Sequence, residues 1–234
     1  MTPEFWANKK VFLTGHTGFK GSWMALWLSK LGADVVGFSL SPSEEGLSLY
    51  KKLNLGSDMT SLYGDIRNFE VFKEALVEAE PDIVIHMAAQ SLVRESYADP
   101  VGTYETNVLG TMNLLQAVRS CPKTRAVLIV TSDKCYENME WEWGYRETDR
   151  LGGYDPYSSS KACVEILTQS FRSSYFNLEN HSEHGVSIAT ARAGNVIGGG
   201  DWAVDRLVPD VLSALESNCV VKIRNPGAVR PWQH

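Results

Sequence analysis

Val11-Phe12-Leu13-Thr14-Gly15-His16-Thr17-Gly18-Phe19-Lys20-Gly21, running on into Ser22-Trp23-Met24-Ala25-Leu26-Trp27-Leu28, is the stretch whose reading decides the fold. A short apolar strand meets three glycines spaced three apart and then a helical pattern. Gly15, Gly18 and Gly21 permit a tight turn and let a phosphate approach the main chain. The helix that follows, opened by Phe19, offers unpaired N–H groups and positive dipole charge to a pyrophosphate. Glycine triplets also occur in ordinary turns. One that opens a βα unit near the start of a chain predicts a site for NAD or NADP.

Outward from this motif, strand-like runs alternate with helical patterns, which predicts an α/β, doubly wound parallel sheet of Rossmann-like type. The strands are expected at 11–14, 34–38, 61–64, 83–86, 126–130, 186–191 and 220–223. Helices are expected at 19–31, 69–78, 102–119 and 156–176, the last with Pro156 in its first turn. Val108, Leu109, Met112, Leu115 and Val118 recur at helical spacing. No repeat or linker interrupts the pattern, so residues 1–234 read as one dinucleotide-binding domain that has not finished.

Composition narrows the function. With 44% hydrophobic and 21% charged residues the chain reads as a soluble globular protein. A net charge of −6 argues against nucleic-acid binding, and no basic run marks a membrane surface. Residues 1–10 hold no signal-peptide core and no apolar stretch spans a bilayer, so a cytoplasmic location is expected. Cys121, Cys135, Cys163 and Cys219 form no Cys-x-x-Cys pair and read as reduced thiols. His181 and His184 lie in a polar stretch without companion ligands, so no metal is expected.

Tyr157 and Lys161 are four apart and share a helix face. A nearby ammonium favours phenolate, so the Tyr157 pKa is expected to be depressed, fitting it to take a hydroxyl proton as hydride leaves carbon. The strand at 126–130 ends in Thr131-Ser132, where the Ser132 hydroxyl can hold the reacting oxygen beside the phenol. Strand two ends in Phe38-Ser39-Leu40, with neither an acid for a ribose 2′-hydroxyl nor a base for a 2′-phosphate. Ser39 can bond either ribose hydroxyl, and the absence of a phosphate partner favours NAD.

Thr14-Gly15-x-x-Gly18-x-x-Gly21, Gly64-Asp65-Ile66, His86-Met87-Ala88-Ala89, Thr106-Asn107-Val108-Leu109-Gly110-Thr111 and Tyr157-x-x-x-Lys161 occur in the order of the extended short-chain dehydrogenase/reductase family, which the chain resembles along nearly its whole length. The resemblance implies that Asp65 and Ile66 flank the adenine. It further implies that Ala88 and Ala89 line the cofactor cleft with Asn107 nearby, and that Lys161 bonds the nicotinamide ribose.

Within that family the discriminating stretch is Thr131-Ser132-Asp133-Lys134-Cys135-Tyr136. Nucleotide-sugar 4,6-dehydratases place an acid–base pair just after the strand-end hydroxyl, commonly Asp-Glu, whereas here the second member is Lys134. With Trp143-Gly144-Tyr145-Arg146-Glu147, Gly152-Gly153-Tyr154-Asp155-Pro156-Tyr157 and 193–202, it is similar to the dehydratases that act on CDP-glucose. The resemblance implies a lyase in which Tyr157 and Lys161 serve oxidation at C4. Asp133 and Lys134 would serve loss of water across C5–C6, for deoxysugar synthesis in bacterial surface polysaccharide. Lys134 acts there either as a neutral base or as a cationic stabiliser of the enolate. Gln90, Asn195, Arg206 and Arg230 become candidates for the nucleotide sugar, with Arg230 on its diphosphate.

Trp141 and Trp143 either close over substrate or pack a long loop. Relatives in this family dimerise through the helices at 102–119 and 156–176; Leu167, Phe171 and Tyr175 serve such a homodimer or face the core. The family's chains continue past Trp232-Gln233-His234, which implies that much of the nucleotide-sugar-binding region follows. A non-catalytic NAD(H)-binding module is the competing reading, although it has no need of the joint set Ser132, Asp133, Lys134, Tyr157 and Lys161.

Overall fold

The computed structural model describes residues 2–42 and 47–234; Met1, the first residue of the segment read as leaderless, lies outside them. Six parallel strands form one sheet: β1 (Lys10–Thr14), β2 (Asp34–Ser39), β3 (Thr60–Tyr63), β4 (Ile83–His86), β5 (Ala126–Val130) and β6 (Ser187–Ala191). Their order across the sheet is β3-β2-β1-β4-β5-β6. Strand order reverses between β1 and β4, the place where open α/β sheets leave a crevice beyond the strands' carboxyl ends.

Period-two alternation splits the strands between two cores. Phe12, Val84, Val127 and Ile129 point to one face and pack with Phe72 and Leu76 of the Phe69–Ala79 helix and with Leu114, Leu115 and Val118. Val11, Leu13, Val35 and Ile85 point to the other and meet Ala25 and Leu28 of the Phe19–Lys30 helix. Helix starts follow local chemistry. Asn68 accepts from the Val71 amide, and Asp155 accepts from the Ser158 amide ahead of Pro156.

The first five strands and β6 lie within a residue of expectation. Two differences have physical reasons. The helix expected at 102–119 starts earlier, because Asp99 caps Gly102 at 2.9 Å and Pro100 occupies its first turn. It then widens into a π turn at Glu105–Leu109 before continuing as Gly110–Val118. Such widenings gather at functional sites, and this one carries Asn107. The strand expected at 220–223 does not form. A strand needs a neighbouring ladder to satisfy its main chain, and residues 220–223 pair with none among the described residues. Instead β7 (Asn195–Val196) pairs with β8 (Trp232–Gln233), and the Leu207–Glu216 helix lies between them in sequence.

Of the apolar stripe at Leu167, Phe171 and Tyr175, the first two pack on the core. Tyr175 lies beneath the Arg119 guanidinium at 4.1 Å. Leu109, Met112 and Ile166 remain exposed on the two long helices.

Candidate active site

β1 delivers the glycine loop to the crevice. Gly15 has φ +77°, and a Cβ there would lie 2.8 Å from the Ala88 nitrogen beyond β4. A Cβ on Gly21 would lie 2.0 Å from the Gly15 carbonyl oxygen. Both positions exclude side chains and leave a main-chain cradle that fits a pyrophosphate. Thr14 joins the two strand ends, its hydroxyl oxygen accepting from the Met87 and Ala88 amides at 3.1 Å each. The same hydroxyl meets His86 Nδ1 at 2.7 Å, and His86 Nε2 meets Thr111 at 3.1 Å. Burial, with the Lys161 charge behind it, pushes the His86 pKa down to about 3. The sequence marks Thr14, His86 and Thr111 only as members of motifs, with no role of their own; His86 is buried because two hydroxyls satisfy its ring.

Ser39, at the end of β2, pairs with the Thr17 hydroxyl at 2.5 Å beside the loop. Asp65 is held by Arg67, whose Nε and Nη2 approach its carboxylate at 2.9 and 2.6 Å. The Arg67 hydrogen bond outweighs partial burial and lowers the Asp65 pKa. The Ile66 side chain belongs to the core, under Gly110. Ala88 and Ala89 are half-buried at the mouth of the crevice. Asn107 is committed to protein: its amide donates to the Gln90 carbonyl at 3.0 Å and Ser160 Oγ at 2.8 Å, and accepts from the Gln90 amide. It therefore reaches the crevice through the Gln90 main chain that it braces. Gln90 itself spends its side chain on Thr103 and Leu92.

β5 and the Pro156–Ser174 helix bring the reactive groups together. Ser132 caps the turn at Asp133–Cys135, hydrogen-bonds Asp133 at 3.0 Å and lies beside the Tyr157 phenol. Lys134 Nζ donates to Asn195 Oδ1 at 3.1 Å and lies 3.5 Å from the Asp133 carboxylate. Lys161 is buried on the next turn after Tyr157 and donates to the Val130 carbonyl at 3.3 Å. Burial and the neighbouring Lys20 ammonium push its pKa down to about 8, against the opposing pull of Glu165.

One expectation is corrected here. The Tyr157 pKa is raised, not depressed: burial penalises the phenolate and the Asp133 charge opposes it, while the Ser132 hydroxyl pulls the other way. Lys161 turns its ammonium toward Val130, so its charge is spent on a carbonyl.

Lys20, within the glycine loop, joins this site without having been anticipated. Burial first, then Arg206 and Lys134, lower its pKa, while Asp133 and Asp201 raise it. Lys20, Lys134, Lys161 and Arg206 thus share one enclosure with Asp133 and Asp201. Glu165 acts on Lys161 and Asp155 on Tyr157, so cations and carboxylates are interleaved there. Arg206 is held by Asp201 at 2.8 Å and by Ser91 at 3.2 Å. Arg230 does not converge with the others. It is exposed and bonds the neighbouring Val229 carbonyl, although β8 carries its segment beside Asn195. Trp141 and Trp143 stack on each other at 5.3 Å, and Trp141 lies 5.1 Å from Tyr145. These aromatics are packed within their own loop.

Comparison with known proteins bears on the family and the fold. A family model described as GDP-mannose 4,6 dehydratase matches residues 12–182. A CDP-glucose 4,6-dehydratase from Salmonella typhimurium is 55% identical over 231 residues, covering 99% of this chain and 64% of the relative. A dTDP-glucose 4,6-dehydratase from Xanthomonas campestris is 28% identical, covering 94% of this chain and 62% of the relative. The chain therefore spans a little under two thirds of the length of these relatives. Among solved structures, a dTDP-glucose 4,6-dehydratase from Bacillus anthracis in complex with NAD superposes with TM-score 0.79 at 22% identity. That likeness covers 97% of this chain and 67% of the other, and it concerns the fold.

Proposed function

This chain belongs to the GDP-mannose 4,6 dehydratase family, extended short-chain dehydrogenases/reductases that dehydrate nucleotide sugars, and on that premise we propose that it converts CDP-glucose to CDP-4-keto-6-deoxyglucose with NAD as cofactor. The observation that carries the reading is the meeting of Tyr157, Ser132, Asp133 and Lys134 in one crevice beside the glycine cradle. The similarity of 55% to a CDP-glucose enzyme, against 28% to a dTDP-glucose enzyme, favours cytidine as the base. NAD fits better than NADP because strand two ends at Ser39 without a base for a 2′-phosphate.

NAD, held by the glycine cradle and Ser39, would supply a hydride acceptor at C4 and a hydride donor at C6. The chain's own residues move the protons. Tyr157, as the phenolate, takes the C4 hydroxyl proton, with Ser132 holding the oxygen and Lys161 left to the nicotinamide ribose. The ketone at C4 acidifies the C5 hydrogen. Asp133 and Lys134 start as an ion pair, so a proton moved from Lys134 to Asp133 across their 3.5 Å contact yields the amine and acid that elimination needs. Lys134 then takes the C5 proton and Asp133 protonates the departing C6 hydroxyl; as hydride returns to C6, Lys134 gives the proton back to C5, and the proton held by Tyr157 passes by way of Ser132 to Asp133, so that phenolate, amine and acid are all restored. Asn195 steadies Lys134 throughout, while Lys20 and Arg206 face the anionic diphosphate. We assign Arg230 to that diphosphate as well, with its side chain swinging in on binding. Asp65, Ile66, Ala88, Ala89 and Asn107 shape the adenine and nicotinamide ends of the cleft, and Gly15, Gly18, Phe19, Gly21 and Ser39 the phosphates and ribose.

We further propose a homodimer through the exposed Leu109, Met112 and Ile166 of the two long helices. A cytoplasmic place in deoxysugar synthesis for surface polysaccharide completes the reading. Among the described residues no helix is long and apolar enough to cross a membrane.

A product assay with CDP-, UDP-, GDP- and dTDP-glucose tests the substrate. Turnover of CDP-glucose is expected, and turnover of another sugar alone would overturn the base assignment. Tight NAD binding with no turnover of any of them favours the binding module. The division of labour is tested in a single turnover. Tyr157→Phe is expected to give no reduced-cofactor absorbance, whereas Asp133→Asn with Lys134→Met accumulates it together with a 4-keto hexose. Each lost acid–base group costs on the order of 10²–10⁴ in rate. No absorbance from the double variant would mean that Asp133 or Lys134 also serves oxidation.

A further inference from the structure

Tyr157, Lys161 and Glu165 stand four apart on one helix face, so the face that carries the phenol and the lysine ends one turn later in a carboxylate. Glu165 is buried, its side chain 5% exposed. An isolated carboxylate there would be costly; this one receives three donors. Thr131 Oγ1, at the end of β5, donates to one oxygen. Thr190 Oγ1 of β6 and Arg192 Nη2 donate to the other at 2.9 and 3.0 Å. Burial pushes the Glu165 pKa up, but Arg192 and the two threonines outweigh it, and the group is held ionised.

Arg192 carries the connection onward. Its side chain is 15% exposed, Nη1 donates to the Glu147 carbonyl at 3.2 Å, and the guanidinium lies 4.8 Å from the Tyr136 ring centroid. Tyr136 stacks on Tyr145 at 4.9 Å, and Trp141 and Trp143 extend the stack. Tyr145 is fixed in turn: its phenol donates to Asn138 Oδ1 at 3.1 Å and accepts from the Met139 amide at 2.7 Å. At its base the loop is closed by Glu137 N to Arg150 O and Gly152 N to Cys135 O, both 2.9 Å. This is the segment that joins the Asp133–Lys134 turn to Tyr157 along the chain.

We propose that Glu165 and Arg192 are a positioning pair: together they clamp loop 136–151 to the Tyr157-bearing helix and so fix the register between Asp133–Lys134 and Tyr157–Lys161. Neither touches the reacting atoms. Glu165 ties the helix to the ends of β5 and β6, and Arg192 ties that junction to both arms of the loop. Planar guanidinium chemistry is needed, because one group must pair with a carboxylate, donate to a carbonyl and lie over a ring at once; a lysine can do only part of this. The pair's catalytic meaning rests on the dehydratase reading, whereas the clamp itself stands on the contacts.

The test is amide hydrogen exchange on the full chain without substrate, comparing wild type with Arg192→Lys and Tyr136→Leu. The second variant removes the ring under Arg192 and leaves the buried ion pair intact. Both are expected to speed exchange in residues 137–150 by roughly tenfold or more, with β5, β6 and the Pro156–Ser174 helix as protected as before. Unchanged exchange in the loop would overturn the proposal. So would equal acceleration through the sheet and helix with a lowered Tm, the mark of a merely stabilising ion pair. Where CDP-glucose is turned over, Arg192→Lys is further expected to lower kcat by about 10²-fold with KM little changed, since displacement by about 1 Å costs that much. The exchange result is read without turnover, so a failed clamp and a failed substrate assignment give different outcomes.

Discussion

The sheet region up to β6 and the arm from residue 195 to 234 share one chain and are packed by different rules. Phe12, Phe38 and Phe72 lie at the centre of a closed core, with rings 5.2–6.3 Å apart. The arm has apolar residues too, yet its Leu207–Glu216 helix buries none of them. Leu212 is 55% exposed, Leu215 64%, Val220 85% and Val229 89%. What separates the two is a partner surface. A helix of the sheet region lies over strands whose alternation presents apolar side chains to it, whereas the arm's helix buries no side chain; the arm meets the rest where Gly198 and Gly200 lie beside Phe19 and Leu49, and through polar links. Trp23 Nε1 donates to the Gly199 carbonyl at 2.8 Å, Arg94 pairs with Asp205 at 3.0 Å, and Arg206 reaches Ser91.

Acid offers the largest way to break this comparison. His16 and His86 both lie in the sheet region, and burial lowers their pKa values to about 4 and about 3, His16 against a smaller opposing effect of the Phe38 main chain. Both folded-state values lie below the unfolded value near 6.5, so below that pH the unfolded chain binds more protons. Their contribution is complete above about pH 6.5 and is lost as pH falls toward 3–4. Two such groups amount to roughly 6 kcal/mol by pH 4. Urea titrations at pH 7, 5.5 and 4.5 should show that steep loss. His16→Phe, whose ring can keep the edge contact with Tyr50, should flatten the slope by about half; an unaltered slope would mean that His16 does not titrate as burial demands.

Next in size is Phe72→Ala, which removes a ring with no exposed surface from between Phe12 and Phe38. A loss of about 3–5 kcal/mol is expected from denaturant midpoints. A cost under about 1 kcal/mol would show a core far more compliant than its packing implies. Then comes the link between the regions: Trp23→Phe deletes the bond to Gly199 and is expected to cost about 1 kcal/mol at most. It should raise proteolysis of residues 198–206 and leave the sheet's amides protected. At the small end, Leu215→Ser on the open helix face should change stability by no more than about 0.5 kcal/mol. A larger loss would reveal a partner surface for the arm, and the contrast between the two regions would then belong to the isolated chain.

Strand positions were legible because β1, β4 and β5 are short apolar runs bounded by breakers, and a parallel sheet buries both their faces. The glycine cradle was legible for a similar reason. Only glycine tolerates the φ of Gly15 and the contact at Gly21, so the backbone requirement is written in residue type. Residues 220–223 failed the same test. Val220 and Val221 have strand propensity, but propensity creates no ladder, and the strand that formed instead is two residues at Trp232–Gln233. The site was legible in part. Ser132, Asp133, Lys134, Tyr157 and Lys161 are near one another in sequence or on one helix face, which spacing can announce. Glu165 and Arg192 bear ordinary surface-type side chains, and only the approach of β6 to the Pro156–Ser174 helix makes them a buried pair.

By itself, then, the sequence determined the βα alternation, the sharp glycine turn after β1 and the nearness of Ser132 to Asp133 and Lys134 and of Tyr157 to Lys161, because each is encoded in local spacing or in a residue's own conformational limits. Tertiary structure alone decided the electrical state of these residues. Burial raises the Tyr157 phenol and brings Lys161 down to about 8. Proximity of Lys134 and Arg206, as many as 186 positions away along the chain, lowers the Lys20 pKa beyond what burial does. Desolvation and Coulomb interaction depend on distance and dielectric. Neither quantity exists until the chain has folded.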